Sequence, residues 1–401
     1  MSEFIRLILV FALILILIWR KASVGLAMLV ASAVLGLVFY MPPLEIGLVA
    51  LRSVIDLTTL NLLASLILIL FLENVMRKTQ LLQRMVSAVT ALARDRRLAM
   101  AMLPAFVGLL PSAGGAVFSA PMVEEASQGL GLTAERKSFI NYWYRHLWEP
   151  VLPIYPSLII ISQLWQIPIG DIIAVQFPLT IAAVLFGIPL AFRGITRSAS
   201  RMDSGVRRKV LLDLAAGLGP IAAVMVMVLV LNLEIWLSLL LVMAALILLY
   251  RYSFDKVATL VREAFSLQIA LLVIGVMVFK DILQQSDAIG ALPPFLNSYG
   301  IPVIVLAFLL PFVVGLMTGV AQAPIAITFP IIGALLVGGV DVRLAPLAFA
   351  SGFAGVMLSP THLCFVLTVR HFKADFGTVL RMVVLPQAAI VLVGAAIYFL
   401  R

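Results

Sequence analysis

Apolar residues along this chain gather in long runs, and polar and charged residues collect in the gaps between them. Ten runs stand out, near 4–19, 22–40, 54–75, 142–165, 167–192, 210–232, 234–250, 266–285, 342–370 and 376–400. A helix rises about 1.5 Å per residue and a bilayer's hydrocarbon core is about 30 Å thick, so about 20 apolar residues make one crossing. Alternating segments of roughly ten residues, the signature of a membrane barrel, are missing from the pattern. Two further apolar stretches, at about 98–128 and 300–338, are interrupted halfway by proline, glycine and small polar residues. Each is too long for one crossing and too short for two with a proper loop, which fits a re-entrant hairpin that enters and leaves by the same face. The pattern predicts an all-α polytopic membrane protein with about ten transmembrane helices.

Composition strengthens this picture. Of 401 residues, 63% are hydrophobic and 12% charged. A soluble domain with so little charge cannot cover its own surface, so the lipid bilayer is the expected partner of most of it. The net charge of +9 does not point to nucleic acid, because the basic residues sit in loops between apolar runs and mark topology instead. Arg77, Lys78, Arg84, Arg94, Arg96 and Arg97, and later Arg193, Arg197, Arg201, Arg207, Arg208 and Lys209, are expected on the cytoplasmic side. The stretch from Asp281 to Val342 holds no Lys or Arg and is expected outside, as are both termini. The first run is followed at once by Arg20, Lys21 and another apolar run, with no clear small-residue cleavage site, and reads as a retained helix. One cysteine, Cys364, excludes an internal disulfide framework. The histidines His146, His362 and His371 lie far apart and form no local metal motif, so no metal or other cofactor is expected beyond a coupling proton or sodium ion.

The chain also repeats itself. Glu73-Asn74 corresponds to Lys280-Asp281, Pro104 to Pro311 and Gly108 to Gly315, all at an offset of 207, while Pro111 falls opposite Thr318. Pro121 meets Pro330 at 209, which implies a two-residue gap. The charge pattern makes the first copy enter from outside and the second from inside, the inverted-repeat plan common among transporters. The expected division is an N-terminal helix (1–21), repeat 1 (22–192), a basic linker with a connecting helix (193–233) and repeat 2 (234–401).

Candidate chemistry sits where apolar runs are broken. The first hairpin turns at Pro111-Ser112-Ala113-Gly114-Gly115, followed by Ser119, and the second at Thr318-Gly319-Val320-Ala321-Gln322. Glycines let the backbone leave the helix and approach a ligand, and half-helix N-termini present N–H groups that suit an anion. Small residues also serve tight helix packing, but tips paired at equivalent positions favour a binding role. The run from Asn141 contains Arg145, His146 and Glu149, then Pro150, Pro153 and Pro156, which must break the helix. Arg145 and Glu149 stand at i and i+4 and are placed either to pair with each other or to serve a site. Ser351, Ser359-Pro360-Thr361-His362 and Cys364 occupy the corresponding break; aligning Pro360 with Pro150 sets Ser359 opposite Glu149, and aligning it with Pro153 sets His362 opposite Tyr155. Expected substrate-binding residues are Ser112, Gly114, Gly115, Ser119, Asn141, Arg145, Thr318, Gly319, Gln322, Ser359 and Thr361; Glu149 and His362 are expected to couple the ion.

The stretches Leu110–Val123 and Ile140–Glu149, with Leu358–Cys364 and Phe372–Asp375, resemble the prokaryotic membrane family catalogued as domain of unknown function 401. That family is grouped with the ion-transporter superfamily of gluconate, citrate and dicarboxylate permeases. The resemblance implies paired hairpins, elevator motion in a homodimer of the cell's inner membrane, and cation-coupled transport of a small anionic solute. The Ser-Asn-Thr hairpin-tip signature of the sodium-dicarboxylate members is missing here, so their substrate and ion do not carry over. The function expected is therefore a secondary transporter coupled to protons or sodium. No Gly-x-x-x-x-Gly-Lys-Ser/Thr loop points to ATP drive, and no Gly-x-Ser-x-Gly or His-Glu-x-x-His motif points to an enzyme. An intramembrane hydrolase and a channel are the alternatives.

Overall fold

A computed structural model describes residues 3–92, 95–111, 115–195, 204–286, 288, 290, 298–336 and 341–400. Among them the protein is all-helical, without a strand. Six helices are long and apolar enough to cross a membrane: Leu57–Lys78, Ile169–Phe192, Arg208–Leu229, Leu267–Gln285, the interrupted Leu344–Phe372, and Phe376–Phe399. The other four of the ten expected runs differ. Those at 4–19, 22–40 and 234–250 fold as Glu3–Trp19, Val24–Val38 and Ile235–Leu249, the last two only 15 residues long. Fifteen residues rise only about 22 Å, short of the about 30 Å core. The run at 142–165 is divided by its prolines into Ala134–Arg145 and Pro156–Trp165.

Helices pair within both stretches expected to form hairpins. The first has arms Arg96–Val107 and Ala116–Ala126, and the second Val303–Thr318 and Gln322–Leu335. Three amphipathic helices that the apolar pattern does not reveal, Pro43–Ile55, Leu81–Leu92 and Phe254–Ala264, lie between the longer ones.

Element lengths and backbone conformations recur along the chain. Val24–Val38 and Ile235–Leu249 both have 15 residues and start 211 positions apart (24 and 235). Pro156–Trp165 and Leu363–Phe372 both have 10 residues, and Ile169–Phe192 and Phe376–Phe399 both have 24; each pair starts 207 positions apart (156 and 363, 169 and 376). Non-glycine residues rarely take positive φ, because Cβ crowds the carbonyl. Gln166 and Lys373, again 207 apart, do so at φ 54° and 53°, and Tyr40 and Arg251, 211 apart, at 63° and 51°.

Packing is reciprocal between the halves. Ala116–Ala126 packs on Leu363–Phe372, and Gln322–Leu335 on Pro156–Trp165. Ile169–Phe192 packs on Leu344–Leu358, and Phe376–Phe399 on Ala134–Arg145. Away from the hairpins, Val24–Val38 and Pro43–Ile55 pack on Leu267–Gln285, while Ile235–Leu249 and Phe254–Ala264 pack on Leu57–Lys78. The hairpins and broken helices thus form one body, and the helices of 24–78 and 235–285 a second one beside it, which touches the first where Gln322–Leu335 packs on Leu267–Gln285 and Pro156–Trp165 on Leu57–Lys78.

Candidate functional site

Two helices are interrupted in the first body, each by proline. Ala134–Arg145 is capped by His146, and residues 146–155 run through turns before Pro156 restarts the helix. Pro150 and Pro153 have no N–H to continue the ladder, whereas Pro156 sits at a first-turn position where none is needed. Leu344–Leu358 stops before Pro360, and the helix resumes at Leu363 with His362 as its N-cap. Tyr155 and His362, 207 positions apart, are both N-caps of a resumed half-helix, which favours the pairing of Pro153 with Pro360.

The two breaks meet. His362 Nε2 lies 3.2 Å from His146 Nε2 although the residues are 216 positions apart. His362 Nδ1 donates to the Gly319 carbonyl (2.7 Å), which ties the second break to the tip of the second hairpin. Gly319 has φ +62° and its Cβ position would fall 2.7 Å from both His362 N and Thr361 Oγ1, so only glycine fits this tip. Ser157, in the resumed first helix, donates to the Ala321 carbonyl of the same tip (3.3 Å). Tyr155 donates to the carbonyl of Gly108 in the first hairpin, and Trp148 to that of Ala105 (2.9 Å). Asn141 reaches from the first half to Thr368 Oγ1 in the second (2.9 Å) and to the Ala116 carbonyl (3.3 Å). Outside the core, Glu124 and His371 join the halves at 3.0 Å, and Asp375 N donates to Glu135 (3.2 Å). Hydrogen bonds from Thr378 hold the Asp375 carboxyl below the ordinary carboxylate range.

Arg145, His146, Glu149 and His362 are 3%, 3%, 5% and 7% exposed, so four ionisable side chains share the buried centre. Groups this costly to withdraw from water mark a site by default. Arg145 and Glu149, placed by sequence either to pair or to serve a site, do not stand one helical turn apart. The helix ends at Arg145, so the i, i+4 relation lapses, and the Glu149 carboxylate instead lies 3.9 Å from His146 Nε2.

The residues predicted from sequence divide into three groups. Arg145, Glu149, Gly319, Ser359, Thr361 and His362 belong to the convergence of the breaks, with Ser359 and Thr361 hydroxyls 2.9 Å apart. Gly115, Ser119, Asn141, Thr318 and Gln322 line up along the hairpins and the helix leading in. There Ser119 and Thr318 spend their hydroxyls on their own helices, on Ala116 (3.4 Å) and Val314 (2.8 Å). Ser112 and Gly114 lie outside the described residues. Sequence reasoning missed His146, Tyr155, Cys364 and Thr368 as site members. The available signal was local: His146 stands beside Arg145, and Cys364 two residues after His362.

Four helix N-termini belong to this body's interruptions, at Gly115, Tyr155, Ala321 and His362, and none has a side-chain cap. Thr133, Asp56 and Asp375, at helix starts elsewhere, do cap theirs. Uncapped first-turn N–H groups are available to an anion. Two crevices run along the border of the two bodies, at opposite ends of Leu57–Lys78. One of about 640 Å³ lies between Asn61 and Ser162, and a smaller one of about 110 Å³ lies between Glu73 and Phe118.

The Asn141–Thr368 bond offers a direct check of the joint between the halves. Thr368→Val keeps the shape but removes the acceptor, leaving a buried amide donor short of a partner. It is expected to destabilise the protein by about 1–3 kcal/mol, read as a lower melting temperature in detergent. An unchanged melting temperature would show that the bond does not hold the halves together.

No curated protein matches the chain. Residues 4–400 match the family described as "Protein of unknown function (DUF401)", and because the match covers nearly the whole sequence, the chain belongs to this family.

Proposed function

We propose that the chain is a secondary active transporter, a permease of the ion-transporter superfamily type. It moves a small anionic organic solute across the inner membrane of a prokaryotic cell, driven by a proton or sodium gradient, and works as a homodimer. The observation that carries this reading is the meeting of two helix breaks and a hairpin tip around buried Arg145, His146, Glu149 and His362. Broken helices at membrane depth are tolerated where they line a pathway, and their free ends bind charged cargo. Arg145 and the uncapped N-termini at Gly115, Tyr155, Ala321 and His362 supply the anion side. Glu149 and His362, with the hydroxyls of Ser359 and Thr361, supply the cation side.

The recurrent helix lengths, the paired positive-φ residues and the reciprocal packing support two inverted repeats. Their division into a hairpin body and a second body with crevices along the border supports elevator motion. A hydrolase using Ser359 is disfavoured, since that hydroxyl pairs with Thr361 rather than with an imidazole.

The test is uptake of labelled mono-, di- and tricarboxylates and sugar acids into proteoliposomes, with imposed pH or sodium gradients. Uphill accumulation of at least one acid, abolished by collapsing one gradient, is the expected result. Uptake that only equilibrates, whatever the gradient, would show that no gradient drives the solute and would overturn the proposal.

A further inference from the structure

Solute transport leaves two side chains of the centre unexplained, His146 and Cys364. His146 Nδ1 lies 2.6 Å from the Tyr142 carbonyl, and His362 Nδ1 2.7 Å from the Gly319 carbonyl. A carbonyl only accepts, so both Nδ1 atoms carry protons, and with both rings neutral each turns an Nε2 lone pair toward the other. These lone pairs face each other across 3.2 Å. Two acceptors that close repel unless an electropositive centre lies against both. A proton held between the two Nε2 atoms relieves this, but it gives the adjacent Cys364 sulfur no role.

A metal ion resolves the conflict. One ligand atom from each of His146, His362 and Cys364 lies within 4.8 Å of the other two, and all three residues are buried. A tetrahedral zinc ion with Zn–N bonds of about 2.0–2.1 Å holds its two nitrogens about 3.3–3.4 Å apart, close to the observed separation. Carbonyls bonded to the distal ring nitrogens are the usual outer partners that fix imidazole orientation at a metal. Glu149, with Oε1 3.9 Å from His146 Nε2, lies beside the three ligands as an outer carboxylate. The Cys364 thiolate and the nearby Glu149 carboxylate lower the cost of keeping a divalent ion, beside the buried Arg145 cation, out of water. Pro360 and Thr361 beside the cluster are exposed and offer a route of entry.

We propose that His146, His362 and Cys364 bind a zinc-class divalent transition-metal ion that joins the two helix breaks. On binding, the Cys364 thiol releases its proton to solvent as the sulfur–metal bond forms. The site shares His362 with the coupling role proposed above, and the two are told apart because binding is read on the purified protein without transport.

The experiment uses the full chain in detergent, stripped with a chelator and titrated with cobalt(II) as a spectroscopic probe. About one ion per chain is expected, with intense tetrahedral d–d bands and a thiolate-to-cobalt charge-transfer band, both lost on adding zinc, which binds such sites more tightly. Cys364 is the single cysteine of the chain, so no other thiol can produce that charge-transfer band. Cys364→Ser is expected to abolish it, His146→Gln and His362→Gln to abolish binding, and Glu149→Gln to weaken binding roughly 10–100-fold. His371→Gln, which lies outside the cluster, is expected to change nothing. If folded wild-type protein shows no charge-transfer band on saturation with cobalt, the proposal is wrong, even should every variant fail to fold. Retention of the band in Cys364→Ser would overturn it equally.

Discussion

Gly315→Val is expected to leave almost no correctly folded protein. A Cβ at Gly315 would press on the Gly352 carbonyl oxygen and come within 2.8 Å of Val356 N, while a Cβ at Gly355 would meet Phe312 and Leu316 backbone in return. The first arm of the second hairpin and the broken helix therefore cross backbone on backbone, a contact that small residues permit in membranes. Overpacking a core usually costs about 1–3 kcal/mol because side chains give way, but here nothing flexible stands opposite. Gly108 makes the equivalent crossing in the first half, against the carbonyl of Arg145, so Gly108→Val is expected to fail likewise. Gly47 is the control, since a Cβ there meets nothing within 4 Å. Gly47→Ala is expected to be neutral or to stabilise by roughly 0.5–1 kcal/mol, as alanine does in a helix. Size-exclusion profiles and thermal melts in detergent read all three. A Gly315→Val protein that elutes and melts like the parent would mean the two helices do not cross this closely.

The same two glycines help make the hairpins legible in the sequence. Proline and glycine act on the backbone wherever they stand, so the stretches near 98–128 and 300–338 announce interruptions; among the described residues one helix ends at Val107 and the next begins at Ala116, and the second interruption falls at 319–321. The break at 146–155 is legible for the same reason. Pro43–Ile55 and Phe254–Ala264 are not, because their charges, including Glu45, Arg52, Asp255 and Arg262, dilute the apolar runs on which span finding depends. Helix length is legible only in part: the 15-residue helices Val24–Val38 and Ile235–Leu249 look like full spans when the apolar residues flanking them are counted in.

The site is legible by halves. Each break names its own polar residues, and Arg145, Glu149 and His362 all belong to the buried centre. What sequence cannot supply is the crossing of the halves, in which Leu363–Phe372 packs on the first hairpin and Pro156–Trp165 on the second. Only that exchange brings His146 to His362, and with them Cys364. A histidine pair separated by 216 positions has no local spacing to recognise, so the absence of a metal motif in sequence says nothing about the cluster.

Cross-linking the two bodies is expected to take uptake from its full rate to none. If the hairpin body slides against the helices of 24–78 and 235–285, the crevice between Asn61 and Ser162 must change width in every cycle. Asn61→Cys with Ser162→Cys places one thiol on each wall, where a bifunctional reagent long enough to span the crevice fixes its width. Native Cys364 is buried and is left in place. The control is Asn74→Cys with Glu263→Cys, whose side chains now meet at 3.1 Å within the second body. A disulfide there ties two helices that have no need to part, so uptake of the transported acid should continue. With a reagent that joins each thiol through a disulfide, reversing the crevice cross-link with a reductant should restore uptake, which separates a mechanical lock from damage by the reagent. Transport that persists when mass spectrometry shows the crevice pair fully bridged would mean that the solute crosses without relative motion of the two bodies.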